Sequence, residues 1–120
     1  MSFERADRIA EELKREISDL IRNEIRDPRI AEFTSITSVE VTRDLRYAKV
    51  FVSVLGDDKQ KDDTLSGLKS AAGFVRREIG KRVKLRYTPE ILFEIDKSIE
   101  HGIYISKLID KVNKAGEDKK

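Results

Sequence analysis

The residues best suited to a task lie between Ser70 and Arg86, in the stretch SAAGFVRREIGKRVKLR. From Phe74 to Arg86 it carries six cations, Arg76, Arg77, Lys81, Arg82, Lys84 and Arg86, against the single acid Glu78. The local charge is +5 where the whole chain carries +2, which leaves −3 for everything else. Positive charge gathered in this way is an electrostatic footprint for phosphate. The competing reading of a charge run is a solvated helix face, but the acids that normally interleave such a face are missing here. The segment opens on small residues, Ser70, Ala71, Ala72 and Gly73, as if the backbone there must come close to something.

No other group of residues offers a reaction. His101 is the single histidine and falls at the start of a predicted last helix, where a solvated or capping role is expected. The acidic loop GDDKQKDD from Gly56 to Asp63 lacks the spacing and distal Glu of an EF-hand, and Lys59 and Lys61 oppose a cation. It reads as a surface loop ahead of a helix, with no metal. There is no nucleotide loop and no nucleophile–base set, so an enzyme is not expected; with 23 acids a carboxylate pair stays open, though nothing points to one. No cofactor and no small-molecule substrate are expected.

The frame that must carry the basic segment can be read from periodicity. At 120 residues the chain is expected to form a single domain with one core, residues 1–113, followed by a loose, flexible C-terminal tail, 114–120. There is no cysteine, which excludes disulfides and thiolate metal sites. Charges throughout the first twenty residues argue against a signal peptide, and no apolar window is long enough to cross a membrane, so a soluble cytoplasmic protein is expected. Met1–Asp27 shows apolar residues at three- and four-residue spacing (Ala6, Ile9, Ala10, Leu13, Ile17, Leu20, Ile21, Ile25) and predicts a long helix with Ser2 as cap and Pro28 as terminator. Thr37, Val39 and Val41 alternate with polar residues and predict a strand, with Ile36 out of register and a bulge near Ser35–Thr37. Arg43-Asp44-Leu45-Arg46 is a hairpin turn into a second strand, Tyr47–Leu55, whose Ala48, Val50, Val52 and Val54 share a buried face. Phe51, on the other face, suggests a surface not simply bathed in water.

Thr64 to Arg82 predicts a helix with stripe residues Leu65, Leu68, Ala72, Val75 and Ile79, a kink at Ala71-Ala72-Gly73 into a second, basic helix, and fraying from Gly80. Val83–Tyr87 is extended, Ile91–Ile95 is a third strand, and Ser98 opens a last helix with Ile99, Ile103, Leu108, Ile109 and Val112. The order is α-β-β-α-kink-α-β-α. A helical crossover of this length suits a parallel connection, which makes the second strand central, antiparallel to the first and parallel to the third, with helices on one face.

This order is that of a type II KH-like α+β fold, with Ala71-Ala72-Gly73 standing where a KH domain carries its GxxG loop. That departure, with Asp27-Pro28-Arg29, Thr34-Ser35-Ile36-Thr37, Val39-Glu40, Asp44-Leu45-Arg46-Tyr47-Ala48-Lys49-Val50, Gly73-Phe74-Val75-Arg76, Pro89-Glu90 and Ser98-Ile99-Glu100, resembles the ribosome-binding factor A family from Arg5 to Leu108. The resemblance implies a bacterial assembly factor that binds the free 30S small ribosomal subunit, supports maturation of the 5′ end of 16S rRNA, matters most in the cold and performs no chemistry. It implies no membrane partner, and a monomer is expected. The expected RNA-binding residues are Arg76, Arg77, Lys81, Arg82, Lys84 and Arg86 as one exposed strip, joined by Arg43 and Arg46 from the hairpin turn. The alternative is a protein-interaction module of the same fold without RNA contact, using Phe51 and the outer face of the second strand.

Overall fold

The computed structural model describes residues 4–97. Within them the order is α1 (Glu4–Asn23), β1 (Thr34–Val41), β2 (Tyr47–Val54), α2 (Asp58–Arg82) and β3 (Glu90–Ile95). The predicted cap at Ser2, the last helix from Ser98, His101 and the tail lie outside the described residues.

The sheet has the expected order β1-β2-β3. β2 is central, antiparallel to β1 and parallel to β3, with Tyr47 opposite Glu90 and Val52 opposite Ile95. The register slips between Ile36 and Ser38, so Thr37 is the bulged residue. Its hydroxyl donates to the Asp96 carboxylate at 2.6 Å, which anchors the bulge to the chain leaving β3.

Period-two alternation sorts the two faces. Ala48, Val50, Val52 and Val54 are buried with Ile91 and Phe93, whereas Lys49, Glu90, Leu92 and Glu94 stay exposed. The buried face meets Leu13, Ile17 and Leu20 of α1 and Leu68, Val75 and Ile79 of α2, all fully buried. Each such side chain contributes about 1.5–3 kcal/mol by leaving water. α1 lies over β1 and α2 over β3. Both described helices therefore cover the same face, and the domain is α+β as expected.

Four expectations about the helices are corrected. α1 stops at Asn23 rather than Asp27: the N–H groups of Glu24 and Ile25 both donate to the Leu20 carbonyl at 2.9 Å, and the chain turns off before Pro28. Asp27 then organises the loop, its carboxylate accepting the Arg29 backbone N–H at 2.9 Å and the Arg29 guanidinium at 3.0 and 2.7 Å. The guanidinium, and then the backbone N–H, hold the Asp27 carboxyl down at about 2.

α2 begins at Asp58, so most of the presumed acidic loop is helical. Asp57 is the N-cap, its side chain accepting the Gln60 N–H at 2.8 Å while the Gln60 side chain accepts the Asp57 N–H at 2.8 Å. This reciprocal pair satisfies two otherwise orphaned donors and starts the helix six residues before Thr64.

α2 is also one helix of 25 residues, not two separated at Ala71-Ala72-Gly73. Nothing at Gly73 forces a break: the position is exposed, and a Cβ there would meet only the Arg77 guanidinium at 3.8 Å. Nor does α2 fray at Gly80. It runs on to Arg82, and the Val83 N–H donates to the Ile79 carbonyl at 2.8 Å. The glycine that permits close approach is Gly67, where a Cβ would stand 2.8 Å from Ile30 Cγ1. Beside it the fully buried Thr64 hydroxyl accepts the Ala31 N–H at 2.9 Å, locking the loop after α1 onto α2.

Candidate nucleic-acid interface

The second half of α2 turns Val75 and Ile79 into the core, so the positions between them face out. Arg76, Arg77 and Lys81 are exposed there. In the segment that follows, Val83 is buried, Leu85 half-buried and Lys84 and Arg86 exposed; the chain bends at Arg86 and Tyr87, so the run expected to be extended from Val83 to Tyr87 is interrupted there.

The exposed cations are held to different degrees. Arg77 is exposed and has no hydrogen bond or ion pair among the described residues. Lys81 lies 3.2 Å from the Glu78 carboxylate but keeps 75% of its side chain exposed. The Arg76 guanidinium donates through Nε and Nη2 to the Thr88 carbonyl at 3.3 and 3.1 Å, which fastens the loop before β3 to α2. Gly80 serves the same junction, since a Cβ there would sit 3.0 Å from Thr88 Oγ1.

Arg82 departs from the expected exposed strip. Its guanidinium reaches back to α1, donating to Glu16 at 3.2 Å, to Asp19 at 2.8 Å and to Glu24. Only 26% of its side chain is exposed. The Asp19 contact, then that to Glu16, raises the Arg82 pKa, while Arg82 and then Asn23 lower that of Asp19. These acids are 58 to 66 residues away in sequence, so local charge counting had no sight of them.

The hairpin arginines sit at the same end of the sheet as this segment. The parallel pairing of β2 with β3 places Tyr47 opposite Glu90, and the Glu90 N–H donates to the Arg46 carbonyl at 2.8 Å. Arg43 and Arg46 are exposed. The turn between them is set by Leu45, whose φ of 61° is left-handed, and by Asp44, which accepts the Thr42 hydroxyl at 2.7 Å and the Arg46 N–H at 3.1 Å. Those two bonds lower the Asp44 pKa. Arg76, Arg77 and Lys81 on α2, Lys84 and Arg86 in the following loop, and Arg43 and Arg46 in the hairpin turn are all exposed, with the Asp44 carboxylate 3.9 Å from Arg46. Such cations can take several backbone phosphates. Phe51, the anchor of the alternative protein-interaction reading, is half-buried on the far face, in a shallow groove with Ser38, Glu40 and Glu94.

Among the described residues no group of acids, histidines or cysteines is arranged to hold a metal, and no helix is long and apolar enough to cross a membrane.

The fold and this surface define a small α+β domain built around a mixed three-stranded sheet with one basic end. Residues 5–109 match the family model of Ribosome-binding factor A. The chain is 62% identical over 119 residues to Ribosome-binding factor A of Acetivibrio thermocellus, covering 97% of each. It is similar in structure to the solution NMR structure of a Thermotoga maritima protein, with a TM-score of 0.69 at 33% identity over 77% of this chain and 87% of that one. A homology model of the Thermus thermophilus ribosome binding factor A, fitted into a cryo-EM map of a 30S complex, shares the fold with a TM-score of 0.64 at 20% identity, covering 77% and 96%. The chain belongs to the ribosome-binding factor A family.

Proposed function

We propose that this protein binds the free 30S small ribosomal subunit and assists maturation of the 5′ end of its 16S rRNA, with its largest effect in the cold. It works in the cytoplasm as a monomer and by binding alone. Membership of a family named for ribosome binding supports this reading, as does the Thermus relative that was fitted into a map of a 30S complex. The observation that carries the RNA contact is the set of exposed cations on α2 and the following segment, with Glu78 as the lone acid among them. Arg77, Lys81, Lys84 and Arg86 meet phosphates, Arg43 and Arg46 extend the contact, and Arg76 contributes field from its place on Thr88. Gly73, exposed one turn before Arg77, leaves the surface of α2 low there, where an rRNA backbone can come close. Contacts of this kind grip folded RNA by shape and charge rather than by linear sequence.

The test is co-sedimentation with free small subunits at two salt concentrations, comparing the native chain with a variant carrying Arg77→Ala, Lys81→Ala and Lys84→Ala. If about three phosphates are lost, the slope of log affinity against log salt becomes shallower by about 2 to 3. Native binding and an unaltered slope in the variant would exclude the surface. Binding to another protein that survives digestion of the RNA would favour the interaction-module reading.

A further inference from the structure

The loop from Val83 to Pro89 contains one side chain that breaks its own pattern. Val83 and Pro89 are buried and Leu85 is half-buried, while Lys84 and Arg86 point out. The chain bends at Arg86 and Tyr87, and Tyr87 is 72% exposed, more than any other aromatic residue among the described residues. A large ring left in water needs a reason when the core it could join is two residues away.

The residues after it are fixed. Thr88 is fixed by the two Arg76 donors, Pro89 is fully buried, and Glu90 is tied to the Arg46 carbonyl at 2.8 Å. The Arg86 guanidinium carbon lies over the Tyr87 ring, 5.6 Å from its centroid, within cation–π range. The ring is thus backed by a cation while most of the residue stays exposed. Exposed cations flank it on both sides, Lys84 and Arg86 in the same loop and Arg43 and Arg46 in the hairpin turn joined to β3.

We infer that Tyr87 is a stacking platform for one unpaired base of single-stranded RNA, with the adjoining phosphates taken by Lys84 and Arg86 on one side and Arg46 on the other. The inference rests on the RNA-binding reading above and adds the state of the RNA it selects. An open aromatic face among cations is what unpaired nucleotides require: every base has a face to stack, and the backbone follows the charge. A base inside a duplex already has both faces covered, so the platform discriminates for single-stranded segments. Phosphate contacts alone make no such distinction.

The experiment uses a short mixed-sequence single-stranded RNA, a blunt duplex of the same sequence, and free small subunits. The chain has no tryptophan, so Tyr87→Trp installs a unique fluorophore at the site. Its emission should be quenched by the single strand and not by the duplex. Tyr87→Ala should weaken single-strand binding about tenfold or more, with the salt slope unchanged because no phosphate contact is lost. Tyr87→Phe should stay within about twofold of native, since the ring alone stacks. Native affinity in Tyr87→Ala overturns the platform while leaving the RNA-binding reading intact, as does a loss accompanied by a shallower salt slope, which would mean that the ring only positions cations. A native protein that binds neither RNA nor subunits overturns both. The melting temperatures of all three variants should match the native one, because the side chain is exposed.

Discussion

Gly67 and Gly73 sit six residues apart in one helix and should answer the same substitution in opposite directions. Replacing either by Ala removes a helix-interior glycine and gains up to about 1 kcal/mol of propensity. At Gly73 nothing opposes the gain, since the new methyl meets only the tip of Arg77 at 3.8 Å. At Gly67 the methyl would stand 2.8 Å from Ile30 Cγ1 and 3.4 Å from both Arg29 Cβ and Asp27 Cγ. The first contact falls roughly 1 Å inside an optimal carbon–carbon separation. The neighbours cannot simply withdraw, because Asp27 and Arg29 are locked to each other and Ala31 is held by Thr64. Overpacking of this kind costs about 1–3 kcal/mol. The propensity term is common to both variants, so the difference between them isolates the crowding. Urea denaturation should show the Gly73→Ala midpoint rising and the Gly67→Ala midpoint falling, separated by about 1 M at an m-value of roughly 1–3 kcal/mol/M. Two midpoints that rise together would refute the claim that the loop after α1 is packed rigidly on Gly67.

Three further outcomes follow from the same geometry. Thr64→Val keeps the shape but leaves the Ala31 N–H without its acceptor, so denaturation should report a loss of about 1–3 kcal/mol; an unchanged midpoint would mean water replaces the hydroxyl. Arg82→Ala should lower the melting temperature at low salt by leaving Glu16, Asp19 and Glu24 facing one another, and the deficit should shrink at high salt, whereas Lys81→Ala should leave it alone; equal behaviour of the two would return Arg82 to the exposed strip. The folded-state pKa of Asp27 is depressed, so its contribution to stability is complete above the ordinary carboxylate range and is lost as pH falls through about 2. Carboxyl titration followed by NMR should place its midpoint there, and an ordinary midpoint would contradict the Arg29 pairing.

What sequence could supply was whatever repeats at short range. The alternation in Tyr47–Val54 and the spacing of Leu13, Ile17 and Leu20 fixed which faces are buried, and the long helical crossover implied parallel pairing of β2 with β3. The bulge at Thr37 was visible because Ile36 breaks a period of two. The errors came from local signals overruled by partners elsewhere. Pro28 looked like the end of α1, but α1 turns off earlier and the Asp27–Arg29 loop packs on α2. The capping pair of Asp57 and Gln60 was hidden among aspartates that look like a loop. Gly73 drew attention through its small neighbours, yet the crowded glycine is Gly67, whose contacts lie 37 to 40 residues away in the chain. The exposure of Tyr87 goes with a bend at Arg86 and Tyr87 that nothing local in the sequence signals.

The basic segment shows most clearly why counting charge is not the same as locating a site. Its six cations were equivalent in sequence, and the fold divides their labour. Arg82 closes α2 against α1 through three carboxylates, and Arg76 closes α2 against the loop before β3 through one carbonyl. The Arg82 contacts hold the end of α2 on α1, the Arg76–Thr88 contact holds the loop before β3 on α2, and the Arg46–Glu90 bond ties the start of β3 to the hairpin turn. Arg77, Lys81, Lys84 and Arg86 remain exposed on the surface so defined. Removing a holding arginine and removing an exposed one should both weaken RNA binding, but by different routes. The first acts by misplacing the others and costs stability; the second flattens the salt dependence and leaves the fold intact. A variant that lowers affinity while preserving both melting temperature and salt slope fits neither class, and that is the result expected of Tyr87→Ala.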